Sequence, residues 1–175
     1  MISAPLRARF GLNMRLDYYD PESLAKILHR SADILDVELD DDGAHEIASR
    51  CRGTPRIANN LLRRARDYAQ VKADGVITGS VAASALEMLQ IDRNGLDEMD
   101  LRILEVIINN FRGGPVGLKN IAVSLGEDED SLEDVYEPFL IQQGYLTRTS
   151  RGRVATPKAW DKLGISGRAA DNELF

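Results

Sequence analysis

Five arginines fall within the eighteen residues RGTPRIANNLLRRARDYA, Arg52 to Ala69, of a chain whose formal net charge is −6. One of them is placed unlike the rest. Arg56 follows Thr54, a helix-capping residue type, and Pro55, a residue suited to the first helical position, so it falls in the first turn of a helix. That end of a helix presents unpaired N–H groups and a partial positive charge, which makes a guanidinium unfavourable there unless an anion visits. Two readings follow: Arg56 serves a phosphate, or it pairs with the acidic turn at Asp40 to Asp42. Arg63, Arg64 and Arg66 fall on the outer face of the same helix, which packs through Leu61, Leu62 and Ala65.

A second basic cluster runs from Tyr145 to Lys162, where Arg148, Arg151, Arg153, Lys158 and Lys162 are opposed by Asp161 alone. Three arginines on a two-stranded hairpin, beside Gly152 in its turn, suit contact with a nucleic-acid backbone rather than base reading. The alternative is a solvated strand face. Other chemistry is poorly supplied. The single cysteine, Cys51, and the two histidines, His29 and His45, are isolated and make neither a disulfide, a zinc site nor a catalytic triad.

The elements that must position these residues can be read from apolar spacing. Asp20 and Pro21 start a helix of 21 to 38 with Leu24, Ile27, Leu28, Ala32, Ile34 and Leu35 inward. A short second helix carries Ala44, Ile47, Ala48 and Cys51 and stops at Gly53. The third, capped by Thr54, carries Ile57, Ala58, Leu61, Leu62, Ala65 and Tyr68, and a fourth spans 79 to 90. After the polar linker IDRNGLDEMD, a helix over 98 to 111 is followed by GGPVGL, a break with a short extended piece. Helices over 118 to 125 and 131 to 143 come next, then the strands YLTRT and RVAT. Helix, helix, turn, helix, hairpin is the winged-helix order. Its recognition helix is preceded and filled by Glu127, Asp128, Glu129, Asp130, Glu133, Asp134 and Glu137, which repel phosphates, so the wing is the expected DNA-contacting element. The predicted fold is mainly α, a four-helix bundle followed by a winged helix with a small β-hairpin. With 43 % hydrophobic and 6 % aromatic residues in 175, the composition is that of a soluble globular protein. There is no eighteen-residue apolar run and no secretory apolar segment in MISAPLRARFG, so a cytoplasmic protein without membrane contact is expected. The tail SGRAADNELF has few core-forming residues and is expected to be disordered.

Several stretches together, namely SAPLRARFG, RGTPRIANNLLRRARDYA, DRNGLDEMD, GGPVGLKNIAVSLGED and EPFLIQQGYLTRTSRGRVAT, resemble the C-terminal half of the RuvB family, the AAA+ motors of Holliday junction branch migration. The resemblance runs from Ser3 to about Ile165. It implies a remnant of the large ATPase domain over 1–19, a helical lid over 20–92, a DNA-binding winged helix over 93–165 and a tail over 166–175. It makes GTPR the sensor-2 motif, with Arg56 on the phosphates of ATP and Pro55 and Tyr19 beside the nucleotide. In SAPLRARFG it implies an arginine finger acting on a neighbouring subunit, Arg9 first and Arg7 second. It also implies ATP with Mg²⁺ as cofactor of the full-length motor, a homohexamer, double-stranded DNA at Holliday junctions, and RuvA and RuvC as partners.

The chain departs from the family pattern in lacking a GxxxxGK[ST] loop and an acidic Walker B stretch. It is therefore expected to be a truncated piece or the product of a misplaced start, to hold no nucleotide tightly and to hydrolyse no ATP alone. Ser150 stands where many relatives are expected to have proline. The competing reading is a free-standing winged-helix transcriptional regulator with a helical dimerisation or effector domain, which leaves the acidic recognition helix and Arg56 unexplained. A self-contained hydrolase or transferase would need a nucleophile, base and orienter that the chain does not supply.

Overall fold

The structure, a computed structural model, describes Arg9, Phe10, Met14 and residues 17–165. Arg7 and the tail from 166 lie outside the described residues. Helix α1 (Pro21–Leu35) is capped by the Asp20 carboxylate, which accepts from Ser23 N, and α2 (Asp41–Arg50) by Asp40, which accepts from Gly43 N. Helices α3 (Pro55–Lys72) and α4 (Gly79–Met88) complete the first bundle. Leu24, Leu28, Ile47, Leu62, Ile77 and Leu86 form its fully buried centre.

Two boundaries differ from the spacing-based expectation. α1 ends at Leu35 rather than 38 because Asp36 turns left-handed (φ 51°) and its N–H closes on the carbonyls of Ala32 and Asp33. The residues that follow run extended, and Leu39 bridges Ile77 through Ile77 N to Glu38 O (2.8 Å) and Asp40 N to Ile77 O (3.2 Å). α4 ends at Met88, with Gln90 at φ 58°.

The linker is an ordered turn. Asp92 Oδ1 accepts from the backbone of Asn94 (2.7 Å) and Leu96 (2.9 Å), and Leu96 enters the second core fully buried. Helix α5 (Glu98–Glu105) opens with a capping box between Asp97 and Asp100 and continues as π turns over Val106–Asn110. Helix α6 (Leu118–Leu125) ends at Gly126 in the left-handed region. Helix α7 runs as Glu129–Ser131, π turns Leu132–Tyr136 and Glu137–Gln142. The strands β1 (Leu146–Thr149) and β2 (Gly152–Ala155) pair antiparallel, and a short helix α8 (Pro157–Lys162) closes the domain. Its core is Leu104, Ile107, Ile121, Leu140 and Tyr145. Among the described residues no helix is long and apolar enough to cross a membrane.

The extended piece in GGPVGL is a third, single-residue rung of the wing: Val116 exchanges both backbone bonds with Arg153, at 3.0 and 2.8 Å. Gly152 (φ 137°) makes room for it, since a Cβ there would run into the Val116 carbonyl. Gly152→Ala is expected to lower stability by about 1–3 kcal/mol, the usual cost of enforced backbone strain. Denaturant unfolding checks this, and an unchanged midpoint would contradict it.

Candidate functional site

Arg56 sits one residue after Pro55 at the start of α3, exposed, and has no ion pair among the described residues. The acidic turn does not reach it. Asp40 caps α2, and Asp41 pairs with His29 Nε2 at 3.1 Å. The expected cap is also absent: the Thr54 hydroxyl donates to Cys51 O at 3.5 Å and gives nothing to the first turn of α3. The helix therefore presents bare N–H groups beside an unpaired guanidinium, the combination that favours an anion. Asn59 and Arg63 lie one and two turns along the same face and, with Ser31, Ile34 and Leu35 of α1, line a shallow groove with Arg56. Tyr19 is half-exposed, and its N–H donates to Gly53 O at 2.9 Å, which brings it to the same end of α3. Arg9 is exposed, with nothing in the structure joining it to Arg56. Cys51 is fully buried, its thiol donating to Ala48 O at 3.1 Å, and burial pushes its pKa up, so it packs and does not react.

The three wing arginines, all expected to contact the DNA backbone, differ in their surroundings. Arg148 and Arg153 are cross-strand neighbours, and both turn back toward α7. Arg153 is 11 % exposed and forks onto the buried Glu137 carboxylate with Nε at 3.2 Å and Nη2 at 2.7 Å. Arg148 is 56 % exposed and meets Glu133 at 2.8 Å. Arg153 is thus withdrawn from solvent, and part of the carboxylate load expected to repel DNA is neutralised within the domain. Lys158 donates to Gln143 O at 2.6 Å over the Tyr145 ring, and Lys162 pairs with Asp92 at 2.5 Å. Arg151, in the turn, is exposed and has no side-chain partner among the described residues. The turn is held without proline by Thr149, whose hydroxyl donates to Gly152 O (2.8 Å) and accepts from Arg151 N (3.3 Å). Arg112 and Lys119, exposed on either side of the Val116 rung, add two cations that a search confined to the hairpin passes over.

A third charged cluster, built on the single arginine Arg52, is the one that sequence reasoning missed. Arg52, left-handed at φ 57° and 12 % exposed, lies between α2 and α3. One nitrogen, Nη2, donates to Asp97 Oδ2 and to Asp100 Oδ2, each at 2.6 Å. The guanidinium carbon lies 4.6 Å from the centroid of the Phe139 ring in α7. Asp100 is fully buried, and its Oδ1 has no hydrogen-bond partner. Burial pushes the Asp100 carboxyl up to about 7 against the pull of Arg52, with the neighbouring Asp97 charge also raising it. Burial raises the Tyr136 phenol as well, helped by Asp97, Glu127 and Asp100.

The family model of the RuvB AAA lid domain matches residues 19–92, and that of the RuvB C-terminal winged helix domain matches residues 93–164. This chain belongs to the RuvB family. It is 57 % identical over 175 residues to the Holliday junction branch migration complex subunit RuvB of Salinibacter ruber, covering all of this chain and 51 % of that protein. The RuvB subunit of Chlorobaculum tepidum matches at the same identity and coverage. The chain spans about half the length of these curated relatives. In structure it is similar to the Thermotoga maritima RuvB Holliday junction branch migration motor, with a TM-score of 0.89 and 48 % identity over 95 % of this chain and 56 % of that one. The expected architecture, a RuvB lid followed by a winged helix with a small hairpin, is the observed one, and the RuvB assignment sets aside the free-standing regulator.

Because the Asp100 carboxyl titrates near 7 when folded and near 3.8 otherwise, the folded chain holds a proton that the unfolded chain has released between those values. Stability is therefore expected to fall as pH rises from about 4 to about 7. Asp100→Asn removes this contribution, so thermal midpoints measured from pH 4.5 to 8 should slope less in the variant. Equal slopes would contradict the assignment.

Proposed function

We propose that this chain is the nucleotide-sensing lid and DNA-gripping winged helix of a homohexameric, ATP-driven motor that branch-migrates Holliday junctions during recombination and repair. In this reading the motor is cytoplasmic and works with RuvA and RuvC. The observation that carries it is the unpaired, exposed Arg56 at the uncapped start of α3, which the alternative of an internal ion pair leaves without a partner.

ATP supplies the phosphoryl group whose hydrolysis drives the motor. Arg56 and the bare N–H groups of α3 fit its phosphates, with Pro55 holding the first turn and Tyr19 at the same helix end. Arg9 or Arg7 serves a neighbouring subunit, where a guanidinium on the developing γ-phosphate charge accelerates transfer by about 10³ to 10⁵ in other NTPases. Magnesium is different: among the described residues no group of three or more His, Cys, Asp or Glu side chains is arranged to hold a metal ion, so no step is assigned to it here. The glycine-rich phosphate loop is also not in this sequence, and the chain contributes the sensing half of the site.

On the DNA side, Arg151 and the half-exposed Arg148 contact the backbone, while Arg153 holds the hairpin on α7 through Glu137. Contacts of this kind grip without reading sequence, which suits a motor that must pass every base pair. Several subunits acting together make up for the few contacts each one provides.

Binding to a four-way DNA junction across a salt series tests the reading. Each lost phosphate contact should reduce the slope of log affinity against log salt by about 0.9. Arg151→Ala is expected to show that loss at unchanged stability, whereas Arg153→Ala should lower stability by about 3–5 kcal/mol, the cost of orphaning a buried carboxylate. Arg151→Ala with wild-type affinity at every salt concentration would overturn the wing as the DNA contact.

A further inference from the structure

The segment from Arg52 to Arg56 carries two features at once. Its end begins α3 and presents Arg56 to solvent, while its start sends Arg52 out of the lid into the winged helix. Cys51, immediately before it, is fully buried in the lid core, which anchors the segment. The other polar ties near the domain boundary involve the linker. Arg50 Nη1 donates to Ile91 O at 3.3 Å, Lys162 meets Asp92 at 2.5 Å, and Asn94 Nδ2 donates to Tyr145 Oη at 2.9 Å. Arg52 reaches past the linker to the capping box of α5 and to the Phe139 ring of α7.

We propose that Arg52 is a positioning residue that locks the winged helix to the lid, so that a displacement of the α3 start reaches the wing as a rigid movement.

Three features make this joint stiff. The guanidinium is planar and nearly buried, and one nitrogen divides its two hydrogens between two carboxylates, so its orientation is defined about more than one axis. The acceptors are the two side chains that cap α5, which ties the contact to the axis of that helix rather than to a loose loop. The Phe139 ring closes the remaining face of the guanidinium from α7, the helix that also holds Arg153 and through it β2. Arg52 thus touches α7 at Phe139, and Glu137 of the same helix holds Arg153 of the hairpin, so α7 connects the segment beside Arg56 to the wing. Gly95 lets the linker lie against the lid: it sits at φ 77°, and a Cβ there would come within 3.0 Å of the Arg50 carbonyl oxygen.

The use of this joint by a motor rests on the proposed function, but its existence does not. Residual dipolar couplings of backbone amides in the 175-residue chain measure it directly. In the wild-type chain, couplings from 20–90 and from 97–163 should fit one alignment tensor. In Arg52→Ala each domain should still fit by itself, with the joint fit lost, while Arg52→Lys, which retains the charge without the planar guanidinium that lies over Phe139, should fall between. Should Arg52→Ala fail to fold, Asp97→Asn is measured instead, since asparagine still caps α5 while the joint loses a charge; the same loss of the joint fit is expected at smaller amplitude. A single tensor that fits the folded variant as well as the wild type would overturn the proposal. Wing variants that leave DNA binding unchanged would instead overturn the DNA reading and leave this result standing.

Discussion

The arrangement of this molecule depends on one guanidinium. Arg52 is a lid residue by sequence, yet its charge is spent in the winged helix, between Asp97 and Asp100 and against Phe139. Without it, the fully buried Asp100 carboxyl would lose the cation that pulls its pKa down and one of its hydrogen-bond donors, and would hold its proton to still higher pH. With it, the two hydrophobic cores, each complete by itself, acquire a defined relation. The left-handed backbone at Arg52 belongs to the same design, because it turns the side chain out of α2 before α3 begins.

A second charge arrangement governs the wing. The acidic helix α7 and the basic hairpin are not separate surfaces; they are folded onto one another through Glu133, Glu137, Arg148 and Arg153. This pairing fixes the hairpin on α7 and leaves Arg151 exposed and without a side-chain partner among the described residues at its tip. The remaining acidic residues stay exposed, Glu127 and Asp128 just before α7 and Glu129, Asp130 and Asp134 on it. A helix carrying that charge is unsuited to a major groove, which fits the proposed backbone contact through the wing better than base reading.

Much of this was legible in advance. Apolar periodicity located the helices of both domains and β-rich runs located the hairpin, because burial imposes those spacings whatever the partner, whereas GGPVGL read only as a break with a short extended piece and its pairing with Arg153 was not visible. Arg56 was legible because a cation in the first turn of a helix is locally unfavourable and asks for a reason. What could not be read were features set by long-range contact. After the stop at Asp36 the chain is held extended by the bridge between Leu39 and Ile77, and the π turns in α5 and α7 leave no mark in the hydrophobic pattern. The roles of Arg52, Arg148 and Arg153 were hidden for the same reason. Composition counts charges but does not say which are opposite one another in space, so a basic hairpin and an acidic helix looked like two surfaces when they are one interface. Arg52 left a single local trace, its place before Gly53 in a chain reversal, and that trace is shared by many surface arginines.

The central claim, that lid and wing form one arm, is tested most directly by a distance between them. Nitroxide labels on the cysteines of Ser84→Cys in the lid and Ser150→Cys at the wing tip stand on exposed positions, and native Cys51 is fully buried and stays unlabelled. Pulsed electron–electron resonance on this doubly labelled chain should give one narrow distance distribution. A broad or two-peaked distribution would mean that the domains move independently and would contradict the account.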